Sequence, residues 1–259
     1  MATPPALRAT QYFLLAYRRT WRASIMSTFV SPLLYLLAMG VGLGSFVNKG
    51  GGAASLGHMG YLQFVAPGLA AANAATAAAG ESTFPVMGGI KWTRTYFAML
   101  ATPLRVVDVL AGHLTWIGAR VAMAVAPYLI VMAAFGVTPS PEAAAVLPAG
   151  ILVGMAFSTP LVAFAATQDN DGSFSLVFRL GMIPLFLFSG VFFPVSVLPV
   201  GLRVIAYATP LWHGVELCRL LTLGRLGAAS AAVHAGYLVA LAVVGAVIAS
   251  RTYTRRLRT

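Results

Sequence analysis

The sequence is short of charge, and of acidic charge above all. Of its 259 residues only six are Asp or Glu and 17 are Lys or Arg, so 9% are charged while 59% are hydrophobic. A soluble domain carries about 25% charged residues because its surface must be wetted. This chain has too few to coat a globule of its size. Its apolar content equally excludes disorder, which needs the opposite balance. A single cysteine, Cys218, excludes an internal disulfide and any thiolate metal cluster, and reads as a small apolar helix residue. What the chain does have is hydrophobicity in long runs, with a mean hydropathy of +0.85. It reads as a polytopic membrane protein.

A membrane helix needs about 20 predominantly apolar residues. Such stretches occur at 25–46, 62–80, 109–135, 144–166, 174–198 and 231–250, the fifth interrupted by Pro184 and Pro194. Six spans place both termini on one side and make residues 1–259 a single all-α transmembrane domain. Arg8, Arg18, Arg19 and Arg22 precede the first span, Lys91, Arg94 and Arg105 follow the second, and Arg251, Arg255, Arg256 and Arg258 follow the sixth. That side therefore holds eleven of the 17 basic residues, and the positive-inside rule makes it cytoplasmic. The net charge of +11 is thus a topology signal, and no nucleic-acid partner is expected. The first hydrophobic run is too long for a signal peptide and no small-x-small site follows it. Before it, residues 8–22 set Arg8, Gln11, Arg18, Arg19 and Arg22 on one arc and Phe13, Leu14, Tyr17 and Trp21 on the other. With Leu15 the exception among the polar residues, this is the pattern of a helix lying in the headgroup plane, the alternative being a cytoplasmic extension of the first span.

Two stretches are neither spans nor linkers. Residues 90–101 follow a helical spacing with Ile90, Thr93, Phe97 and Leu100 on one side and Lys91, Arg94 and Thr95 on the other. They read as an amphipathic helix started after Gly88-Gly89 and stopped near Pro103, serving either as a surface helix or as a docking element. Residues 199–226, punctuated by Pro199, Gly201, Pro210 and Gly214, are too broken to span. Short helices dipping into the outer leaflet fit them, with the non-helical backbone shielded by protein.

Reactive constellations are missing. There is no G-x-x-x-x-G-K-[ST] loop to cradle phosphates, no H-E-x-x-H, no C-x-x-C and no G-x-S-x-G. Asp169-Asn-Asp-Gly172 lacks the later ligands and closing Glu of a calcium loop, so it reads as a polar turn and no metal is expected. Arg120 and Arg179 read as snorkelling side chains, His113 as interfacial, His234 as a hydrogen-bonded packing residue, and Glu216 with Arg219 as an i,i+3 pair. The lack of an intramembrane carboxylate chain opposes the alternative reading, an ion- or proton-coupled secondary transporter. The lack of a nucleophile or metal constellation opposes a membrane-embedded enzyme.

Several segments taken in order resemble one family. They are Ser31-Pro-Leu-Leu-Tyr35 with Gly40-Val-Gly-Leu-Gly44, and Tyr61-Leu-Gln-Phe-Val-Ala-Pro-Gly-Leu69. Next come Glu81-Ser-Thr-Phe, Ile90-Lys-Trp-Thr-Arg-Thr-Tyr and Ala101-Thr-Pro-Leu104. The most specific are Phe188-Ser-Gly-Val-Phe-Phe-Pro194 and Pro210-Leu-Trp-His-Gly-Val-Glu-Leu217 with Arg219. From about residue 8 to 250 the chain resembles ABC-2 type transport permeases, nearest to nodulation-factor-exporter-like and daunorubicin-exporter-like members. The resemblance implies six spans with cytoplasmic termini in a bacterial inner membrane, and a re-entrant extracytoplasmic element between spans five and six. It implies a non-enzymatic export subunit for an amphiphilic or hydrophobic drug, lipid or lipo-oligosaccharide. ATP and Mg would sit on a separate ATPase subunit, and a second identical or homologous permease would complete the pore within the lipid bilayer. By family position, Gly89, Lys91, Trp92, Arg94, Thr95, Tyr96 and Phe97 would couple to the ATPase. Residue type and family position suggest Phe29, Tyr35, Asn73, Phe188, Ser189 and Phe193 for the substrate pathway. Pro210, His213, Glu216 and Arg219 would build the re-entrant element.

Overall fold

The computed structural model describes residues 4–19, 21, 30, 32–49, 56 and 59–258, and every regular element among them is helical. The chain forms α1 (Pro5–Tyr17), α2 (Pro32–Val47), α3 (Tyr61–Ser82), α4 (Thr95–Leu100), α5 (Val106–Ala134) and α6 (Val146–Thr167). It continues as α7 (Gly172–Phe188), α8 (Val200–Tyr207), α9 (Pro210–Leu223) and α10 (Ala228–Leu257). Three stretches are long and apolar enough to cross a membrane: α5, α6 with its leading 3-10 turn (Pro141–Thr167), and α10. The helices α2 and α7 are apolar but shorter.

Helix α3 lies at the centre, with 15 of its 22 residues buried. Its alanines explain that position, because small side chains let neighbouring helices approach closely. Glycines do the same around it. A methyl group at Gly154 would lie 2.6 Å from Val121 and one at Gly150 2.9 Å from Val125, while one at Gly245 would collide with Thr159 Oγ1. These close approaches lock α5 and α10 onto α6. The outer face of α10 exposes Val233, Val239, Val243, Val244, Val247 and Ile248, an apolar strip suited to hydrocarbon. At 1.5 Å per residue α10 is about 45 Å long, longer than the roughly 30 Å hydrocarbon core. Its basic residues Arg251, Arg255 and Arg256 lie in its last two turns.

Three elements differ from the sequence expectation. The fifth apolar stretch does not run helically to residue 198. It stops at Phe188, where Gly190 adopts φ +81°, a left-handed conformation that glycine takes without steric cost. Residues 90–101 are not one helix either. A turn at Phe84–Met87 leads into a π-helical turn at Gly88–Trp92, and Arg94 takes φ 51° before α4 begins. That break rotates the expected stripe, burying Tyr96 and Met99 and exposing Phe97. Finally, α1 starts at Pro5, whose fixed φ suits a first helical position. It docks on α5 through Ala9, Thr10 and Phe13, so Phe13 packs on protein and not among headgroups.

Candidate functional site

One end of the bundle gathers the segment 84–100, the turn between α6 and α7, and the C-terminal turns of α10. Tyr96 is fully buried there and shares a 2.8 Å hydrogen bond with His113 Nδ1 of α5. Its ring lies 5.7 Å from that of Tyr253 on α10 and directly over Gly89, where a methyl would meet it at 2.7 Å. Burial, with Tyr253 alongside, pushes the Tyr96 phenol well above its ordinary value. Its hydroxyl is a neutral donor and acceptor throughout the physiological range. Asp169 clamps the same segment from the other side. Its carboxylate accepts from Lys91 Nζ at 3.1 Å and from Arg256 Nη2 at 2.6 Å, and its carbonyl accepts from Lys91 Nζ at 2.6 Å. Those two cations, Arg256 foremost, hold the Asp169 carboxyl below its ordinary range. With the Asp169 side chain 74% exposed, the clamp orients more than it stabilises, since exposed pairs are screened.

The outward side of this anchored segment presents Trp92, Arg94 and Phe97. Arg94, Phe97, Ile90, Lys91 and Arg256 line an open depression of about 640 Å³. The expected set at 89–97 is thereby divided. Gly89 and Tyr96 are internal packing residues, Lys91 is held by Asp169, Thr95 Oγ1 lies 2.6 Å from Thr93 Oγ1, and the rest face outward.

The residues expected on a substrate path do not converge on one site. Tyr35 and Asn73 line a groove of about 360 Å³ with Thr76, Tyr128, Phe178 and Phe186. Asn73 Nδ2 donates to the Ala124 carbonyl at 2.9 Å, which fixes its amide against α5. Phe188 and Ser189 border a second groove, with Leu202 and Ile205 of α8. Phe193 instead packs in a small satellite core with Val195, Leu198, Ala206 and Trp212. Phe29 lies outside the described residues.

At the opposite end, Pro210 opens α9 behind a Thr209 cap that accepts from Trp212 N. His213 Nδ1 and His234 Nδ1 are 3.0 Å apart, joining α9 to α10, so His234 is the hydrogen-bonded packing residue expected. Arg219 is only 5% exposed. It pairs with Glu216, donates from Nε to the Phe64 carbonyl (3.2 Å) and from Nη2 to the Gly190 carbonyl (2.7 Å), and stacks 3.8 Å over the Phe64 ring. One guanidinium thus ties α9 to α3 and to the break that ends α7.

Two ionisable groups have protein partners that the sequence reading did not name. Arg120 is one. Its Nε donates to Glu81 Oε1 at 2.8 Å, Trp116 Nε1 donates to Glu81 Oε2 at 3.3 Å, and Tyr17 lies under the guanidinium at 4.7 Å. His113 is the other, buried between Tyr96 and the stacked Phe13 ring, 4.8 Å away. Sequence reasoning also missed Asp169 and Tyr253. Scarcity was the available signal for the acids, because six carboxylates among 17 cations are each expected to find a partner.

Among the described residues, no three His, Cys, Asp or Glu side chains gather to hold a metal. The ABC-2 type transporter family model matches residues 7–223. Nodulation protein J of Rhizobium leguminosarum bv. trifolii is 31% identical over 243 residues, 94% of this chain and 90% of that protein. Its counterpart from Rhizobium leguminosarum bv. viciae is also 31% identical, over 94% and 91% of the two chains. The Rhizobium meliloti (strain 1021) protein of the same name is 28% identical over 94% and 90%. No solved structure matches. With apolar helices packed around an Ala-rich centre and a family match over most of its length, the chain belongs to the ABC-2 type transporter family.

Proposed function

We propose that the chain is the membrane-spanning permease subunit of an ATP-binding-cassette exporter, driven by ATP and Mg bound on a separate ATPase subunit. Residues 1–259 form one domain with six spans, α8 and α9 acting as a re-entrant extracytoplasmic element. The basic end, with both termini, faces the cytoplasm by the positive-inside rule. A second identical or homologous permease completes the pore, and an amphiphilic or hydrophobic substrate passes beside the groove of Tyr35 and Asn73.

The observation that carries this reading is the surface of Trp92, Arg94 and Phe97. It faces outward while Tyr96 and Asp169 tie its backing to α5, α10 and the α6–α7 turn. A force applied to so anchored a patch is delivered to three spans at once, as coupling to a closing ATPase requires. Aromatic and arginine side chains are also the residues that dominate protein interfaces.

The test is co-expression with an ABC ATPase subunit from the same source, followed by detergent purification of the pair. Trp92→Ala and Phe97→Ala are expected to weaken association at least about tenfold, roughly 1.4 kcal/mol or more. ATP hydrolysis by the recovered complex falls in parallel. A chain that moves its substrate without nucleotide, and binds no ATPase, overturns the proposal.

A further inference from the structure

We infer that the groove between α1 and α4 binds an anionic glycerophospholipid from the surrounding leaflet. The groove holds about 440 Å³, within the size range of small-molecule sites. Its lining is mostly apolar, with Ala9, Ala98, Met99, Pro103 and Leu104, and includes Arg8 and Tyr12 of α1 beside Thr95 and Thr102. Arg8 and Tyr12 are four residues apart on α1 and therefore on one face of that helix. A mostly apolar trough lined also by a cation and hydroxyl donors fits an amphiphile with a negative head.

The location selects a bilayer lipid as that amphiphile. Helix α1 exposes Leu7, Leu14 and Leu15 at 46, 49 and 59%. A short helix with that apolar surface, with Arg8 on it and Arg18 and Arg19 directly after its last turn, settles at the headgroup–acyl boundary. The groove opens beside this surface, so an acyl chain reaches it laterally while its phosphate meets Arg8. Anionic lipids are favoured over zwitterionic ones because basic residues at the membrane surface attract net negative charge. The bound lipid touches α1 and α4 together, and α4 follows directly on the Arg94 break. Lipid composition would thereby set how firmly the exposed 92–97 surface is held. The site needs only a membrane-embedded chain, so it stands or falls independently of the ATPase partnership.

The full chain, purified in a neutral maltoside detergent, is examined by native mass spectrometry with phosphatidylglycerol or phosphatidylcholine of identical acyl chains. Phosphatidylglycerol is expected to be retained as one tight adduct per chain, and phosphatidylcholine to be lost. Arg8→Gln should lower retention about fivefold, the value of one basic residue near an anionic surface. Ala98→Trp fills the trough and should abolish the adduct. Arg255→Gln, at an exposed basic position of the same end, should leave it intact. Arg8 is exposed, so Arg8→Gln is expected to fold and keeps the inference open to refutation even where Ala98→Trp fails to fold. Equal retention of the two lipids, or no loss in Arg8→Gln, overturns the inference. So does an Ala98→Trp variant whose only change is disruption of a dimer.

Discussion

Arg219 offers the sharpest test of what holds α9 to α3 and to the end of α7. In Arg219→Met the aliphatic stem is kept and the guanidinium lost. Phe64 lies within α3, where its carbonyl retains its intrahelical donor, so its loss is small. The Gly190 carbonyl sits in the break after α7 and is left without its 2.7 Å donor; an orphaned buried acceptor costs about 1–3 kcal/mol. The desolvated stacking over Phe64, at 3.8 Å, contributes about another 1–2 kcal/mol. Together these come to about 3 kcal/mol for Arg219→Met. Arg219→Lys preserves the charge but reaches one partner at a time, and should lose about 2 kcal/mol, since the planar fork is what spans several acceptors. Glu216→Gln keeps an amide oxygen that can accept from Arg219 and leaves both carbonyl contacts in place, so it should lose about 1–2 kcal/mol, less than Arg219→Met. The assay is thermal unfolding in detergent, followed by size-exclusion fluorescence, with the three variants ranked against the parent. The reasoning is refuted if Arg219→Lys melts with the parent, or if Glu216→Gln is as damaging as Arg219→Met. Either outcome would place the strength in the ion pair and not in the carbonyl contacts.

Other expectations are smaller in scope. Gly89→Ala forces a methyl to within 2.7 Å of the Tyr96 ring; overpacking of this kind costs about 1–3 kcal/mol, read as a lowered melting temperature that Gly89→Ala/Tyr96→Leu partly restores. Asp169→Asn should leave the melting temperature nearly unchanged but raise amide exchange across 88–97. The same opening should occur in the parent on acidification. The carboxyl is depressed in the folded chain, so its clamp is complete above the ordinary aspartate value and is lost as pH falls through the lower folded one. Gly245→Ala collides with Thr159 Oγ1 and meets the Pro160 backbone nitrogen at 2.8 Å, and should destabilise by about 2 kcal/mol. Gly236→Ala on the same helix meets nothing within 4 Å and should stabilise by up to about 1 kcal/mol; equal effects at both positions would show that backbone propensity, and not packing, sets these costs.

How much of this was legible beforehand divides along a physical line. Bilayer hydrocarbon imposes a length and an apolarity on any helix that crosses it, so α5, α6 and α10, the three helices long and apolar enough to cross, overlap the apolar stretches read from composition at 109–135, 144–166 and 231–250. The crowding of basic residues was equally visible, since Lys91, Arg105, Arg251 and Arg256 do share one end with α1. The glycine and proline punctuation of 199–226 likewise announced the short helices α8 and α9. Periodicity failed at 90–101 and beyond Phe188. A positive φ at Arg94 or Gly190 depends on what the following residues pack against, and no repeat in the sequence encodes it.

Partnership is the other divide. Hydropathy assigns each ionisable residue a cost without naming who offsets it. Arg120 with Glu81, Arg219 with the Gly190 carbonyl, and Asp169 between Lys91 and Arg256 are separated by 39, 29, 78 and 87 residues. Composition and charge, acting through the bilayer, determined which stretches are apolar helices and which end is basic. Only helix packing decided which buried groups meet, because a pair's energy depends on ångström distances that chain order does not specify.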